Sequence, residues 1–153
     1  MDSKKKSQFI EYFSKGIKNL NQLKIGVEHE RFLFEGENKN RISYETLKKL
    51  FENLKVNGWE PLHEKGNIIG MQRNKQQITT EPGLQCELSG APLENIHQVC
   101  SESSKFLKEI EIASKGLDVN TVSIGFDPFN NLSDIPQSPK TRYKIMTKEM
   151  PKG

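Results

Sequence analysis

Ile25-Gly26-Val27-Glu28-His29-Glu30-Arg31-Phe32, running on to Phe34, decides how the rest of this sequence is read. Taken as a strand over Lys24 to Phe34, it puts Glu28, Glu30, Phe32 and Phe34 on one face, because successive side chains of a strand point to opposite sides. Two carboxylates beside two phenylalanines suit neither open solvent nor an apolar core. Like charges that close repel unless a cation sits between them. A hard cation such as Mg2+ takes oxygen ligands of this kind, usually with substrate phosphates. The competing reading is an edge strand with a polar face. His29 falls on the opposite face, which suits a structural role better than a ligand's.

A second acidic stretch is Ile78-Thr79-Thr80-Glu81-Pro82-Gly83-Leu84-Gln85-Cys86-Glu87-Leu88-Ser89-Gly90. Pro82-Gly83 favours a tight turn, Pro by fixing φ and Gly by accepting positive φ. Glu81 and Glu87 then flank a chain reversal. They share a face if the turn has an odd number of residues or a bulge, and lie on opposite faces if it has two. The sequence leaves both open, and an ordinary surface hairpin is the plainer alternative. With Glu28 and Glu30, these residues make four carboxylates on apolar-flanked strands, a pattern suited to divalent ions and a nucleotide polyphosphate. No glycine-rich phosphate loop is present, so phosphate would be held mainly through metal.

Around these stretches the chain alternates between helical and extended patterns. Ser7 to Lys18 carries Phe9, Ile10, Phe13 and Ile17 on one side of a helix. Ser43 caps a helix bearing Leu47, Leu50, Phe51 and Leu54, which stops at Asn57-Gly58. Trp59 to Leu88 reads as several short strands, with turns at Lys65-Gly66-Asn67 and Asn74-Lys75-Gln76. Pro92 suits the first turn of a helix carrying Leu93, Ile96, Cys100, Leu107 and Ile110 inward and ending near Gly116. Val119 to Phe126 reads as a strand, Asp127 to Lys140 as a loop broken by Pro128, Pro136 and Pro139, and Arg142 to Met150 as a further helix. The sum is an α+β fold with a mostly antiparallel sheet and flanking helices.

Composition narrows the function. The 153 residues suit one domain, large enough to bury roughly two-thirds of its unfolded surface. With 23 basic and 20 acidic residues, the net charge of +3 is too weak to argue for nucleic acid or an anionic membrane. The basic run Lys4-Lys5-Lys6 reads as the solvated start of a helix. No stretch approaches the roughly 20 apolar residues of a membrane span, and the N-terminus lacks a signal peptide's apolar segment. A cytoplasmic location is expected, with Cys86 and Cys100 reduced and each buried as a small hydrophobe. His97 lacks a partner at metal-ligand spacing. Arg142 follows the proline-rich loop, where an arginine can clamp a carboxylate with two prongs.

Several blocks together resemble the plant and proteobacterial type of glutamate–cysteine ligase: Gly26 to Phe32, Ile68-Ile69-Gly70, Ile78 to Pro92, Leu93 to Gln98, Gly125-Phe126-Asp127-Pro128, Asp134-Ile135-Pro136 and Arg142-Tyr143-Lys144-Ile145-Met146. They stand in the family's order. The resemblance implies a catalytic domain similar in fold to glutamine synthetase, with the antiparallel sheet as the floor of the active site. It implies ATP-dependent joining of L-cysteine to the γ-carboxylate of L-glutamate through γ-glutamyl phosphate, the first step of glutathione biosynthesis. Glu28 and Glu30 match carboxylates that hold Mg2+ and serve catalysis, Glu81 and Glu87 would complete the metal set, and Arg142 matches an arginine for the α-carboxylate of glutamate.

The sequence departs from the family's pattern where Leu84 replaces a second glycine and Cys86 an aromatic residue. Further departures are Val99 for threonine, Thr141 for glycine, and the run from Thr147 to Glu149. Family enzymes are far longer, so residues 1–153 are expected to form the N-terminal part of the catalytic domain. A missing C-terminal segment would then be a partner, and the fragment alone would be inactive. The alternatives are a related ligase with another amine acceptor and a truncated, non-catalytic interaction module.

Overall fold

In the computed structural model, residues 3–150 are described. The ends of the expected domain, Met1, Asp2 and Pro151 to Gly153, and the side chain of Lys4 in the basic run lie outside the described residues. Seven antiparallel strands form the sheet: β1 (Glu28–Glu35), β2 (Asn40–Arg41), β3 (Glu60–Glu64), β4 (Asn67–Arg73), β5 (Gln76–Thr80), β6 (Cys86–Ser89) and β7 (Val119–Val122). The order is β2-β1-β6-β5-β4-β3, with β7 pairing β1. Four helices accompany it: α1 (Ser3–Ser14), α2 (Tyr44–Leu54), α3 (Ile96–Ser114) and α4 (Thr141–Glu149). The α+β architecture with a mostly antiparallel sheet is therefore as the sequence implies.

The core lies between one face of the sheet and helices α2 and α3. Leu33, Met71, Ile78 and Leu88 from the strands meet Leu47, Leu50, Phe51 and Leu54 of α2 and Phe106 and Ile110 of α3. Burying one such side chain contributes about 1.5–3 kcal/mol. Helix α2 starts as its sequence dictates: the Ser43 hydroxyl accepts from Thr46 N at 3.2 Å. It runs into a short 3-10 turn that ends at Gly58, whose φ of 80° needs glycine's freedom.

Polar contacts fix the far side of this core. Trp59, 2% exposed, donates its indole N–H to Glu109 Oε2 at 2.9 Å. Arg73 donates to Glu109 Oε1 at 2.8 Å and stacks on the Trp59 ring at 4.2 Å. The buried carboxylate is thus satisfied by two donors, as a buried charge must be.

Helix α3 differs from expectation. It starts at Ile96, not at Pro92, because Ile25 and Leu93 exchange backbone hydrogen bonds at 2.8 Å that keep Leu93 extended. Asn95 then caps the helix by accepting from Gln98 N at 3.1 Å. The inward face also differs: Val99, Phe106, Glu109, Ile110 and Ala113 are buried, whereas Ile96, Cys100 and Leu107 are exposed. Glu109, drawn inward by Trp59 and Arg73, occupies a place that apolar periodicity alone assigns to a hydrophobe. Cys100 is consequently not the buried thiol expected. On α1, Phe9, Ile10 and Phe13 share a side as expected, with Ile17 just beyond the helix, and all four are exposed.

The Glu81–Gln85 reversal is a three-residue loop. Glu81 N donates to Gln85 O, and Leu84 N donates to Glu81 O, both at 2.9 Å. Such loops end with a residue in the left-handed region, and here it is Leu84, at φ 61° and fully buried. This is the position where the resembling family carries glycine. Arg41, 5% exposed, donates to Gly83 O and to Asp127 Oδ2 at 3.4 Å, and stacks on Phe32 at 4.6 Å. It thereby ties the loop to β1 and to the segment after β7.

Leu84→Gly tests which term dominates. Relief of the backbone conformation gains about 1 kcal/mol, whereas emptying a fully buried leucine site costs about 2–5 kcal/mol. The variant is expected to be less stable by about 1–4 kcal/mol in urea unfolding. A midpoint above that of the parent would show that strain, not packing, governs this position.

Candidate functional site

Strand register brings the four acidic residues to one face. Glu30 stands directly opposite Glu87, and Glu28 opposite Ser89. Glu87 in turn stands opposite Thr79 of β5. Glu81 lies two residues beyond Thr79 and pairs with Gln85 through its backbone N–H, so the three-residue loop leaves Glu81 and Glu87 on the same side as Glu30. The opposite side is the core side, where Cys86 and Leu88 are buried and His29 meets Ser103 Oγ at 2.7 Å. His29 thus lies on the side its parity implies, bonded to Ser103 of α3, and His97 on α3 is exposed.

Electrostatics reflect this crowding. Burial raises the Glu30 carboxyl above its ordinary range, the Glu81 and Glu87 carboxylates add to the rise, and Arg41 opposes it. Asp127 behaves oppositely. Burial works against its ionisation, but donors from Phe129 N at 2.9 Å and Asn130 N at 3.1 Å prevail and hold it below the usual carboxylate range. The Cys86 thiol is pushed up to about 12 by burial, which makes it an inert core group.

Helix α4 closes one end of the acidic face with cations. Arg142 donates to the Tyr143 hydroxyl at 2.6 Å and to Glu81 Oε1 at 3.5 Å. The Tyr143 hydroxyl donates to Glu81 Oε2 at 3.1 Å. The Arg142 side chain is 60% exposed, so its fork is open to a further carboxylate. Thr141 N donates to Glu64 Oε1 at 2.8 Å, anchoring the start of α4 to the end of β3. The structure brings Glu28, Glu30, Glu81, Glu87 and Arg142, the residues singled out in the sequence, to one face, and adds Arg41 and the Tyr143 hydroxyl, which sequence reasoning did not single out. Arg41 sits beside no acidic motif in the sequence and comes next to Glu30 only through the fold.

The donor set fits a hard divalent cation by type. It presents carboxylate oxygens on a single face, one of them with its pKa raised by burial and then by its like-charged neighbours. Beside them Gln85 Oε1 is a buried acceptor without a hydrogen-bond partner. Among the described residues, no three His, Cys, Asp or Glu side chains come close enough together to hold a metal ion by themselves.

The profile of glutamate-cysteine ligase family 2 (GCS2) matches residues 24–153. The chain is 40% identical over 148 residues to the chloroplastic glutamate–cysteine ligase of Medicago truncatula, covering 96% of this chain and 29% of that protein. It is 39% identical over 148 residues to the chloroplastic glutamate–cysteine ligase A of Oryza sativa subsp. japonica, covering 96% and 30%. The chloroplastic glutamate–cysteine ligase of Arabidopsis thaliana is 38% identical, with 96% and 28% covered. The chain thus spans less than a third of the length of these curated relatives.

A carboxyl whose folded-state pKa is raised binds more protons folded than unfolded. It therefore makes stability fall as pH rises through the window from the ordinary value upward. Glu30→Gln is accordingly expected to be more stable than the parent at pH 7 in metal-free buffer. The difference should vanish as pH falls below the ordinary carboxylate range, and millimolar Mg2+ should narrow it at pH 7. Thermal unfolding across pH reads all three. A variant less stable than the parent at pH 7 would mean that Glu30 is favourably paired, not crowded.

Proposed function

Because the chain belongs to glutamate-cysteine ligase family 2, we propose that it supplies the metal- and glutamate-binding part of an ATP-dependent carbon–nitrogen ligase. The reaction would join the amine of L-cysteine to the γ-carboxylate of L-glutamate, the first step of glutathione biosynthesis. Residues 1–153 would be the N-terminal part of its catalytic domain. The observation that carries this reading is the single strand face bearing Glu28, Glu30, Glu81 and Glu87, with Arg142 linked to Glu81 at one end.

In the reaction the γ-carboxylate of glutamate takes the γ-phosphoryl group of ATP. The cysteine amine then displaces phosphate from the acyl carbon. Mg2+, when bound, would neutralise phosphate charge and align the oxygens between which the phosphoryl group passes. Glu28, Glu30, Glu81 and Glu87 would hold it from the sheet floor. Arg142 would leave its contact with Glu81 to grip the α-carboxylate in a two-pronged contact, directing the γ-carboxylate along the acidic face. The Tyr143 hydroxyl, already between Arg142 and Glu81, keeps the arginine fork at the rim and Glu81 turned towards it. Rigid placement of this kind is the main contribution a protein makes to phosphoryl transfer.

Calorimetric titration of the chain with Mg2+–ATP and with L-glutamate tests the reading. Arg142→Ala should weaken glutamate binding by about 1.5–3 kcal/mol, the scale of a lost charged hydrogen bond. Mg2+–ATP affinity should stay within about twofold, since no contact to phosphate is assigned to Arg142. Glu28→Gln should instead abolish the Mg2+-dependent part of ATP binding, with the circular-dichroism spectrum unchanged. Equal losses for both ligands in Arg142→Ala, or unaltered nucleotide affinity in Glu28→Gln, would sink these roles.

A further inference from the structure

Lys140 has an enclosed side chain and a charge to which no role has been assigned so far. It is 6% exposed, yet among the described residues its ammonium forms no ion pair and no hydrogen bond. Its one close partner is the Tyr143 ring, whose centroid lies 5.8 Å from Nζ. Arg142 stacks on the same ring at 4.7 Å, so one aromatic side chain carries two cations. The carboxylates in electrostatic reach of Lys140 are Glu81, Glu87 and Glu64, with Arg142 acting against them. Two of these have other partners: Glu64 Oε1 accepts from Thr141 N at 2.8 Å, and Glu81 Oε2 from the Tyr143 hydroxyl at 3.1 Å. The stem of Lys140 is enclosed while its Nζ keeps contact with solvent. An ammonium held beside carboxylates and bonded to none of them is open to an anion that arrives from outside.

The chemistry of the two cations separates their ligands. A guanidinium fork matches a planar carboxylate, and Arg142 is exposed enough to receive one. An ammonium is a compact point charge suited to the tetrahedral oxygens of a phosphoryl group. We propose that Lys140 is a second cationic anchor of this site and that its ammonium receives phosphoryl oxygens of the nucleotide. The inference rests on the ligase reading and deepens it by assigning the phosphate end of the acidic face. The nucleotide's phosphates then lie between the Lys140 ammonium and metal held by the carboxylates, which together offset their charge.

The test uses the full chain, a non-hydrolysable ATP analogue with Mg2+, and L-glutamate, each titrated by calorimetry. Lys140→Met is expected to weaken the analogue about tenfold or more, the scale of one lost charged hydrogen bond, with glutamate affinity changed less than about twofold. Lys140→Arg is expected to recover most of the loss. A second measurement needs no substitution. Reductive methylation of lysines in the parent chain, read by peptide mass spectrometry, should be slowed at Lys140 by the analogue with Mg2+ and not by glutamate. Unchanged analogue affinity in Lys140→Met, or unchanged labelling of Lys140, would overturn the anchor while leaving the ligase reading standing. Loss of glutamate in place of the analogue would overturn the phosphoryl assignment. A parent chain that binds neither probe would overturn the ligase reading and this inference with it.

Discussion

Glu30 and Glu87 stand directly opposite each other across β1 and β6, and like charges in that position oppose strand pairing. The pairing persists because the reverse face of the same strands contributes Leu33, Cys86 and Leu88 to the core. A slip of one residue would relieve the carboxylates but turn Leu33, Cys86 and Leu88 out of the core. Hydrophobic burial on one side therefore holds an unfavourable electrostatic arrangement on the other. A cation admitted to the face gains the attraction that the protein leaves unused.

Arg41 and Arg73 show two ways of placing a guanidinium in this fold. Arg73 meets a full counter-charge in Glu109 and a ring in Trp59, and it closes the core behind the sheet. Arg41 meets its counter-charge at the longer distance of 3.4 Å and leaves its Nε without a partner. Its remaining contacts are a loop carbonyl and the rings of Phe32 and Phe34. It thus bridges parts of the chain that share no strand pairing, and it lowers the repulsion felt by Glu30. The position of the Glu81 loop depends on this tie as much as on the hairpin that carries it.

The strands and α2 were legible because their signals are local: alternation in β1, a serine cap, glycine stops. The acidic face was half legible. Alternation alone puts Glu28 and Glu30 together, but the side on which Glu81 falls depends on how many residues the loop holds. Leu84 in a left-handed conformation is not what a propensity argument selects. Helix α3 misled because its inward face includes Glu109, whose partners lie far away in sequence. Arg41 and Lys140 were not legible at all. Each is a single basic residue beside a loop, and only the fold shows that one clamps the Gly83 turn and the other is enclosed next to carboxylates.

Trp59 gives the molecule a built-in optical reporter with a restricted field of view. It is the single tryptophan of the chain, enclosed at 2% exposure between Arg73 and Glu109 on the helix side of the sheet. Its emission responds to whether water and the guanidinium reach the indole, so it follows the opening of that core. A ligand on the acidic face would lie across the sheet from it, away from the Arg73 and Glu109 contacts that surround the indole. Intrinsic fluorescence therefore separates two events that most probes mix: it registers the loss of the scaffold and stays silent on the filling of the site.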